Sequence, residues 1–462
     1  MAPSHHHGSA TCAHPRCCRR RAVMDILELA KEKAEEAELY EAHTEALGVV
    51  FHGGEVEKVG SEAILGRALR VIAGGKLGFA STAGGEPKAL VEAALAAAQH
   101  GDPAPFKFPP LRDGTKVEAF DPAVPRISPE ELLQWGEEAV RTIKAEFPEL
   151  VVNVYLSRAT TEVVIRNTAG GERRERRTAL SLTVGAERVR EGDIWLIYES
   201  QTVRRLTDLD REELVEKLLQ KLRWGAEVAP PPAGKPPVLF LPSAVPVLLL
   251  PLTHGFSGLS VFLGTSPLKG RQGEQAFAKS FTLVDDGLIP FGPRARSFDD
   301  EGLPVGRLPL VEEGVVRNFF YDLRAAALSG VEPTGNGLKG GPFGDGGFRA
   351  PPGPAPRHLV VRPGEGSLTE LIREMKEGLL VSDVIGLGQG NIQSGAFSNN
   401  VSVGFVVRDG RVVGRVKNTM IFGNAYEVLK DGLIQVGGEP EWVGGSLFAP
   451  PLLVQGVSVV GR

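Results

Sequence analysis

The most distinctive pattern along the chain is an uncharged run over residues 238–268, which contains no Asp, Glu, Lys or Arg. Its first four residues, 238–241, are all apolar and have the length of one buried strand. The run is long enough to span a bilayer, but its prolines and glycines argue against a lipid-exposed helix. We therefore predict that this run belongs to the protein core and does not cross a membrane.

A helix and a polar turn are predicted after this strand. Ser243 suits the N-cap and Pro246 suits the first turn, where the missing N–H of proline costs little. Pro251 should kink or end the helix, because a proline inside a helix removes a hydrogen bond. The turn that follows carries His254, the only histidine of the uncharged run.

Helix-like and strand-like patterns recur through the first half of the chain. Helices are predicted where apolar residues repeat on one face, and strands where apolar and polar residues alternate between turn residues. The predicted helices are 24–38, 87–100, 128–147 and 211–224, and the predicted strands are 42–51, 63–72, 76–81, 151–166, 172–184 and 193–204. Proline-rich residues 101–129 and 229–237 are predicted to be connectors.

The second half is richer in predicted strands. Asp409-Gly410 has the strongest hairpin pattern of the chain. The predicted strands are 308–311, 315–321, 401–408 and 411–417, and the predicted helices are 367–377 and 424–430. Because the helices gather between blocks of antiparallel strands and do not alternate with them, the pattern indicates an α+β fold.

Length and composition limit the class of protein. A chain of 462 residues is too long for one ordinary core, so two or three domains are expected. A hydrophobic share of 42% and a charged share of 24% are typical of a soluble globular protein. The 57 glycines and 34 prolines indicate many turns between short strands. A formal net charge of −5 gives no electrostatic reason to expect a nucleic-acid partner.

Residues 1–23 differ from the rest of the chain. They contain all three cysteines, four of the nine histidines and no periodic apolar pattern. Their spacing matches no zinc template, and they lack the apolar segment of a signal peptide. We expect residues 1–23 to be a disordered extension. It is either what is left of a tag or the result of a reading frame that was taken too long, with Met24 as the true start. The absence of cysteine from residues 24–462 excludes a disulfide scaffold and a cysteine nucleophile there, and favours a cytoplasmic protein.

Few residues suggest a catalytic or metal-binding role by themselves. His254 has no Glu, Asp, Cys or second His near it in sequence, which favours a structural role over a metal ligand. The acidic residues 285–286 and 299–301 could hold a hard cation, but each group adjoins a glycine, so solvated turns are expected. Residues 255–258 lack the residue order of a nucleophile elbow.

Two further patterns are weaker still. Residues 386–391 have Rossmann-like glycine spacing, but no helix is predicted after them to receive a pyrophosphate. Residues 172–177 form the one basic cluster, and their position in a predicted hairpin favours a solvated face over an RNA site. These features alone indicate a soluble α+β protein with a buried strand and helix.

Short motifs along residues 24–462 occur in an order that carries a family resemblance. In the second half they are Asp299-Asp300-Glu301-Gly302 between Phe298 and Pro304, Leu310 to Gly314, Tyr321-Asp322, Thr334-Gly335-Asn336-Gly337, Pro363-Gly364, Gly395-Ala396-Phe397-Ser398 and Ile421-Phe422-Gly423-Asn424. In the first half they are Gly66-Arg67 with Arg70-Val71, and Gly78-Phe79-Ala80-Ser81. Together they resemble the TldD/PmbA family of cytoplasmic peptidases, historically called modulators of DNA gyrase. The resemblance implies an N-terminal α+β part and a C-terminal part built on a strongly curved antiparallel sheet.

The family has two kinds of subunit, which differ at the stretch that ends in His254. TldD-type subunits carry a zinc-binding HExxxH and a cysteine ligand near the C-terminus. The corresponding positions here hold Leu249 for the first histidine and Leu250 for the glutamate, and only His254 remains. Zinc hydrolysis needs about three protein ligands and a general base. The chain therefore resembles the PmbA-type (TldE) subunit, and we expect no catalytic residue and no cofactor here, with zinc on the partner only.

The resemblance also implies partners. We expect a catalytically silent subunit that pairs with a TldD-like zinc-bearing paralogue as a heterodimer, or forms a homodimer, and helps to cut short or unfolded peptides. No nucleic-acid or membrane partner is expected. Two alternatives stay open, namely a self-associating binding protein without a protease partner, and a hydrolase with an unrecognised site such as a metal on the acidic turns.

These patterns divide the chain into five predicted segments. They are a disordered extension or tag at 1–23, an N-terminal α+β domain at 24–105, a central α+β domain at 106–228, a proline-rich linker at 229–237 and a C-terminal β-rich domain at 238–462. The extension is expected to be dispensable because it has nothing to bury.

A chain that starts at Met24 should match the full chain in solubility and melting temperature. Thermal unfolding of the two proteins side by side measures this. A substantial loss of stability on truncation would show that residues 1–23 pack on the folded body.

Overall fold

A computed structural model describes residues 25–190, 193–340 and 347–461, with the side chain of Arg190 excepted. The predictions for residues 1–23 lie outside these ranges. The described helices α1 to α9 are Ile26–Lys31, Pro87–Gln99, Pro129–Glu146, Arg211–Trp224, Pro246–Gly255, Gly258–Leu263, Leu323–Ser329, Leu368–Met375 and Ala425–Glu427.

The strands confirm that the fold is α+β. Strands β1 to β12 are Glu36–His52, Glu55–Ala73, Lys76–Thr82, Val151–Asn167, Glu172–Arg190, Asp193–Val203, Val238–Phe240, Leu283–Asp286, Arg307–Glu312, Val315–Val316, Gly337–Lys339 and Pro352–Pro354. Strands β13 to β23 are Leu359–Val361, Gly378–Ile385, Gly390–Asn391, Ala396–Arg408, Arg411–Arg415, Thr419–Asn424, Leu433–Val436, Glu441–Val443, Leu447–Ala449, Leu452–Val454 and Ser458–Gly461.

The first half of the chain forms one antiparallel sheet of six strands, in the order β3-β2-β1-β4-β5-β6. In its centre, β1 pairs with β2 from Glu36 opposite Ile72, and with β4 from Glu38 opposite Asn167. Helices α1 and α2 pack beside β1 and β2, while α3 and α4 cover the part of the sheet formed by β4, β5 and β6. This one sheet contains strands from both predicted domains, 24–105 and 106–228. That the two segments fold as separate units stays a prediction.

The second half contains two larger sheets. One has the order β10-β9-β8-β13-β21-β20, and the other follows the order β19-β22-β7-β14-β16-β18-β23, with β15 and β17 also paired to β16. The latter curves into a half-barrel and is mostly antiparallel, with β7 and β14 running parallel. The curved C-terminal sheet that the family resemblance implied is therefore confirmed.

Strand β7 lies between two hydrophobic cores. Val238 and Phe240 pack in the core that contains α5, while Leu239 packs in the core that contains α3 and α4. All three side chains are fully buried. A strand covered on both faces has no polar side, which explains why this part of the sequence is continuously apolar.

Helix α5 differs from its predicted course in two respects. Pro246 occupies its first turn as predicted, but Pro251 lies inside the helix, which continues to Gly255. The helix therefore does not end at Pro251, because packing on buried surroundings outweighs the lost hydrogen bond. Ser243 does not cap the helix, and its hydroxyl donates to the carbonyl of Ser382 at 2.7 Å.

The first predicted helix is also too long. Helix α1 ends at Lys31, and β1 already begins at Glu36. Ala37 and Leu39 are buried in the core against α1 and α2. Burial in the sheet has therefore overridden the helical pattern of residues 32–38. Similarly, the predicted strand 315–321 is reduced to β10.

Among the described residues, no helix is both long and apolar enough to cross a membrane.

Replacing Leu249 by Ala should lower the free energy of unfolding by about 2–5 kcal/mol, because a fully buried leucine leaves a cavity. Denaturant unfolding of the purified protein measures the loss. Leu263→Ala is the matched control, since Leu263 is 62% exposed and its truncation should cost much less. Equal losses in the two variants would contradict the buried position of Leu249.

Candidate functional site

The positions that correspond to the zinc motif lie on helix α5. Leu249 is fully buried in the hydrophobic core of the C-terminal part. Leu250 is half-buried, and a Cβ atom at Gly388 would lie 3.3 Å from its Cδ2, so the turn at residue 388 approaches this side of the helix. His254 lies in the last turn of α5.

Both ring nitrogens of His254 contact neighbouring groups. Its Nε2 lies 3.3 Å from the carbonyl oxygen of Thr265, and its Nδ1 lies 3.2 Å from the hydroxyl of Ser260. Because a carbonyl only accepts, Nε2 carries the proton and Nδ1 accepts from the hydroxyl. The lone pair that a metal would need is thus already used.

The donors at this place do not fit a catalytic zinc ion. Leu249 and Leu250 have no lone pair to offer, and His254 is a single ligand where about three are needed. Within residues 25–190, 193–340 and 347–461, no group of three or more His, Cys, Asp or Glu side chains is placed to hold a metal. The contacts of these residues are packing and hydrogen bonds that position α5.

The motif residues near positions 395 and 424 surround the end of α5. Asn424 accepts from the backbone N–H of Tyr426 at 3.0 Å and donates to the carbonyl of Ser394 at 2.8 Å. The Tyr426 hydroxyl in turn donates to the carbonyl of Pro251 at 3.0 Å. Gly395 has φ of 84°, and a Cβ atom there would lie 2.4 Å from the Tyr426 ring, so only glycine fits.

Gly423 and Phe397 complete this surrounding structure. They are opposite each other in the pairing of β16 with β18. A Cβ atom at Gly423 would lie 2.9 Å from the Phe397 ring, which is itself buried in the core. The motif at this end of the molecule therefore fixes the packing around α5.

A second group of motif residues forms a buried acidic turn at residues 299–302. The Asp299 carboxylate accepts from the backbone N–H groups of Glu301 and Leu303 at 2.9 Å, and from that of Gly337 at 2.9 Å. Gly302 closes the turn with φ of 77°. A Cβ atom at Gly337 would lie 2.3 Å from Glu301, so glycine is required for this close approach.

Arg70 connects this turn to the first sheet. Its guanidinium donates to Glu38 at 2.7 and 2.9 Å and to Glu301 at 2.7 Å, and all three side chains are buried. The second oxygen of Glu301 accepts from the backbone N–H of Leu323 at 2.8 Å. Burial raises the pKa of Glu38, outweighing the opposing effect of Arg70.

The other carboxyl groups of the turn lie in unequal environments. Burial, with the charge of Glu301 adding to it, raises the pKa of Asp299 well above its usual value. Burial also acts against ionised Asp300, but Arg296 at 2.7 Å and the backbone N–H of Lys339 at 2.8 Å outweigh it and lower its pKa. At neutral pH the turn therefore holds Asp300 as an anion.

Two further acidic residues border the turn. Burial and the charge of Glu301 raise the pKa of Asp322 to about 7, while the Asp322 side chain accepts from the backbone N–H of Ala325 and caps α7. Burial raises the pKa of Asp285 to about 6, against hydrogen bonds that favour its ionised form. Asn336 donates to Asp285 at 2.5 Å and to the carbonyl of Ala355 at 3.0 Å, so the motif asparagine joins separate segments of chain.

The expectation of solvated acidic turns is wrong for residues 285 and 299–301. These side chains are buried because backbone N–H groups and arginines replace water around them. The basic cluster 172–177 is only partly solvated, since Arg173 is buried over the ring of Phe298. Residues 386–391 form turns and the short strand β15, with no helix after them, as predicted.

Residues from several distant segments took part in these networks without having been singled out from the sequence. They are Glu38, Lys339 and Arg70, which had been noted only as part of a motif, together with Arg357 and His358, whose backbone N–H groups donate to Asp285 at 2.8 Å. Arg70 lies between the apolar pairs Ala68-Leu69 and Val71-Ile72, which was an available signal, whereas Glu38 fell at the end of a predicted helix and gave none. The sequence gives no indication of which distant carboxylate such a charge meets.

Comparison with known proteins gives the family. The family model described as PmbA/TldA metallopeptidase C-terminal domain matches residues 233–461, and the model described as PmbA/TldA metallopeptidase domain 1 matches residues 37–98. A protein of Methanothermobacter thermautotrophicus named metalloprotease is 28% identical over 426 residues, which is 88% of each chain. Metalloprotease PmbA of Escherichia coli O157:H7 is 25% identical over 94% of this chain and 95% of its own.

A solved structure has the same architecture. This structure is that of a Thermotoga maritima protein that is described as a modulator of a DNA gyrase. The two chains align with a TM-score of 0.81 and 25% identity, over 94% of this chain and 98% of the other. Some other curated relatives align over less than half of their own length, one of them over 46%. The two matched domain models, in the order that the motifs follow, show that the chain belongs to the PmbA/TldD family.

Proposed function

We propose that this chain is a PmbA/TldE-type subunit without zinc, which works in a cytoplasmic protease complex beside a TldD-like zinc-bearing paralogue. The observation that carries the proposal is the apolar pair at the motif positions, with Leu249 buried in the core and Leu250 half-buried beside it. The partner would supply the metal and the general base, and the complex would cut short or unfolded peptides.

A groove beside strand β6 supports a role in holding the peptide. Strand β6 is the last strand of the first sheet, so one of its edges has no neighbouring strand in that sheet. This edge lines a cavity of about 800 Å³ together with Asp383, Ser402 and Asn418 from the C-terminal part. An extended peptide can add to such an edge through backbone hydrogen bonds, which do not depend on its sequence.

The alternatives have less support. A metal on the acidic turns is disfavoured, because Asp299 accepts from three backbone N–H groups and Asp300 pairs with Arg296. A Ser–His hydrolase at Ser260 is also disfavoured, since His254 is oriented by a carbonyl and not by a carboxylate. A homodimer without a protease partner remains the second candidate, because exposed apolar residues suit either kind of association.

The purified chain should bind no stoichiometric zinc and cut no peptide alone, and activity should appear when it is combined with a paralogue that carries HExxxH. Elemental analysis after dialysis against trace zinc, and peptide cleavage with each subunit separately and together, measure this. His254→Ala should change stability modestly and leave the zinc content unchanged.

Zinc binding by the isolated chain would contradict the proposal. One zinc per chain, retained by the wild-type protein and lost in His254→Ala, would overturn the zinc-free assignment. Failure of the chain to co-purify with any HExxxH protein from its native cell would favour the homodimer.

The isolated chain should be a two-fold dimer, because apolar side chains of the β5–β6 hairpin are exposed. Val189 is 63% and Ile194 is 76% exposed, and the two residues are directly paired. Ile194→Asp should shift the mass measured by light scattering toward that of one chain, while the control Val331→Asp should not. A monomeric wild-type protein at micromolar concentration would contradict the prediction.

A further inference from the structure

A second cavity adjoins the groove beside β6. It has a volume of about 560 Å³ and lies between β6, helix α4 and the C-terminal part of the chain. We refer to it as the α4 cavity. The residues that line both the groove and the α4 cavity are Glu199, Ser200, Lys221, Ser243, Glu441 and Trp442. A ligand that lies in the groove is therefore directly next to the α4 cavity.

The pleat of β6 determines which side chains of such a ligand reach the cavity. Side chains alternate between the two faces of a strand. Ile197 packs in the core that contains α4, and Glu199, two residues further on, pairs with Lys221 of α4. An extended peptide added beside β6 would place every second side chain on this same face of the sheet. Such a side chain would point into the α4 cavity.

Aromatic and aliphatic side chains form part of the cavity wall. They are Trp224, Trp442 and Phe448, with Leu214, Leu241 and Leu368. The ring centroids of Trp442 and Phe448 are 5.0 Å apart. The volume lies within the range of small-molecule sites, and the apolar wall suits the long stem of a lysine or arginine side chain. Aromatic faces also attract cations.

The charged side chains of the lining are mostly acidic. Across the described lining they comprise five carboxylates and two lysines, namely Glu199, Asp210, Glu213, Glu439 and Glu441, and Lys217 and Lys221. Both lysines are already engaged, because Lys217 lies 3.0 Å from both Glu213 and Glu441, and Lys221 pairs with Glu199. The lining therefore has an excess of carboxylates that its own lysines do not match.

Asp210 and Glu439 each keep one carboxylate oxygen available to a ligand. Asp210 Oδ1 accepts from the backbone N–H of Glu213 at 2.9 Å, and Glu439 Oε2 accepts from that of Leu368 at 2.9 Å. The acidic character of the cavity also affects Lys217. Burial acts against its charged form, but Glu441 and Glu213 outweigh burial and raise its pKa.

Given the proposed role of the groove in holding a peptide, on which this assignment rests, we propose that the α4 cavity receives a basic side chain of that peptide. Arginine suits the cavity better than lysine, because a planar guanidinium stacks on aromatic rings and pairs with two carboxylate oxygens at once. The groove would hold the backbone of any extended peptide. The cavity would favour peptides with arginine at one position, so this chain would contribute a sequence preference to cleavage.

Peptide binding to the isolated full chain tests the assignment. The probes are blocked peptides of about six alanine and serine residues that carry arginine, citrulline or alanine at one central position. Citrulline has the shape of arginine without its charge. At physiological ionic strength, the arginine peptide should bind at least about tenfold more tightly than the citrulline peptide in calorimetric titration, because the charge-assisted contacts are lost with citrulline.

Variants locate the preference at the α4 cavity. Asn is as good a helix-capping residue as Asp, and Glu439 is exposed, so Asp210→Asn and Glu439→Gln are both compatible with folding. Each should reduce the preference for arginine over citrulline severalfold and leave the affinity for the alanine peptide unchanged. The matched control is Glu212→Gln, which makes the same charge change on α4 at an exposed residue outside the lining.

Equal affinity for the arginine and citrulline peptides would overturn the assignment and leave the role of the groove intact. A preference that survives both cavity variants, or that Glu212→Gln reduces equally, would also exclude the α4 cavity as its source. If none of the peptides binds, the peptide-holding role of the groove is wrong and the assignment is wrong with it. The unliganded melting temperature shows whether each variant is folded, and either cavity variant alone suffices for the comparison.

Discussion

The buried contact of Arg70 with Glu38 and Glu301 is the interaction on which the arrangement of the two halves depends. Glu38 and Arg70 face each other on β1 and β2, whereas Glu301 belongs to a turn 231 residues after Arg70. Removing one member of a buried ion pair typically costs about 3–5 kcal/mol, because the remaining charge is left without compensation. The first sheet and the acidic turn are thus held in one relative position. The groove beside β6 is lined by residues of both halves, so its width depends on how the halves are placed.

The local elements could largely be predicted from the sequence. Helix α4 has the bounds that its pattern indicated, and α3 begins beside Ser128, the first residue of its predicted range, which caps it. These features depend on neighbours in sequence, so the pattern contains the information. The burial of Asp299 and Glu301 could not be predicted in this way. Their partners come from β2, β11 and the start of α7, and a turn with three acidic residues next to glycine resembles an exposed loop until those partners are known.

The candidate site, too, could be predicted from the sequence only in part. The apolar residues Leu249 and Leu250, at the positions that the resemblance assigns to the first histidine and the glutamate of the zinc motif, were visible in the sequence, because the chemistry of a side chain is known without its position. The role of Tyr426 was not visible, since its hydroxyl reaches Pro251 across 175 residues. That contact, and the glycine at position 395 that makes room for the ring, show how the motif residues preserve the geometry around α5. The family motif thus maintains the shape of the chain around α5.

The pairing of β7 has a consequence for how the chain folds during synthesis. Strand β7 receives its parallel neighbour from β14 and its antiparallel neighbour from β22, where Leu452 is opposite Phe240. A ribosome releases β7 more than two hundred residues before β22 exists. Strand β14 is made first, so the uncharged run 238–268 has neither strand partner until residue 378 has been made, and it lacks β22 until residue 452 has been made. Domains usually fold in order from the N-terminus, but this core cannot be completed until the last strands have emerged. Chaperones that hold apolar segments would bind the run during this time.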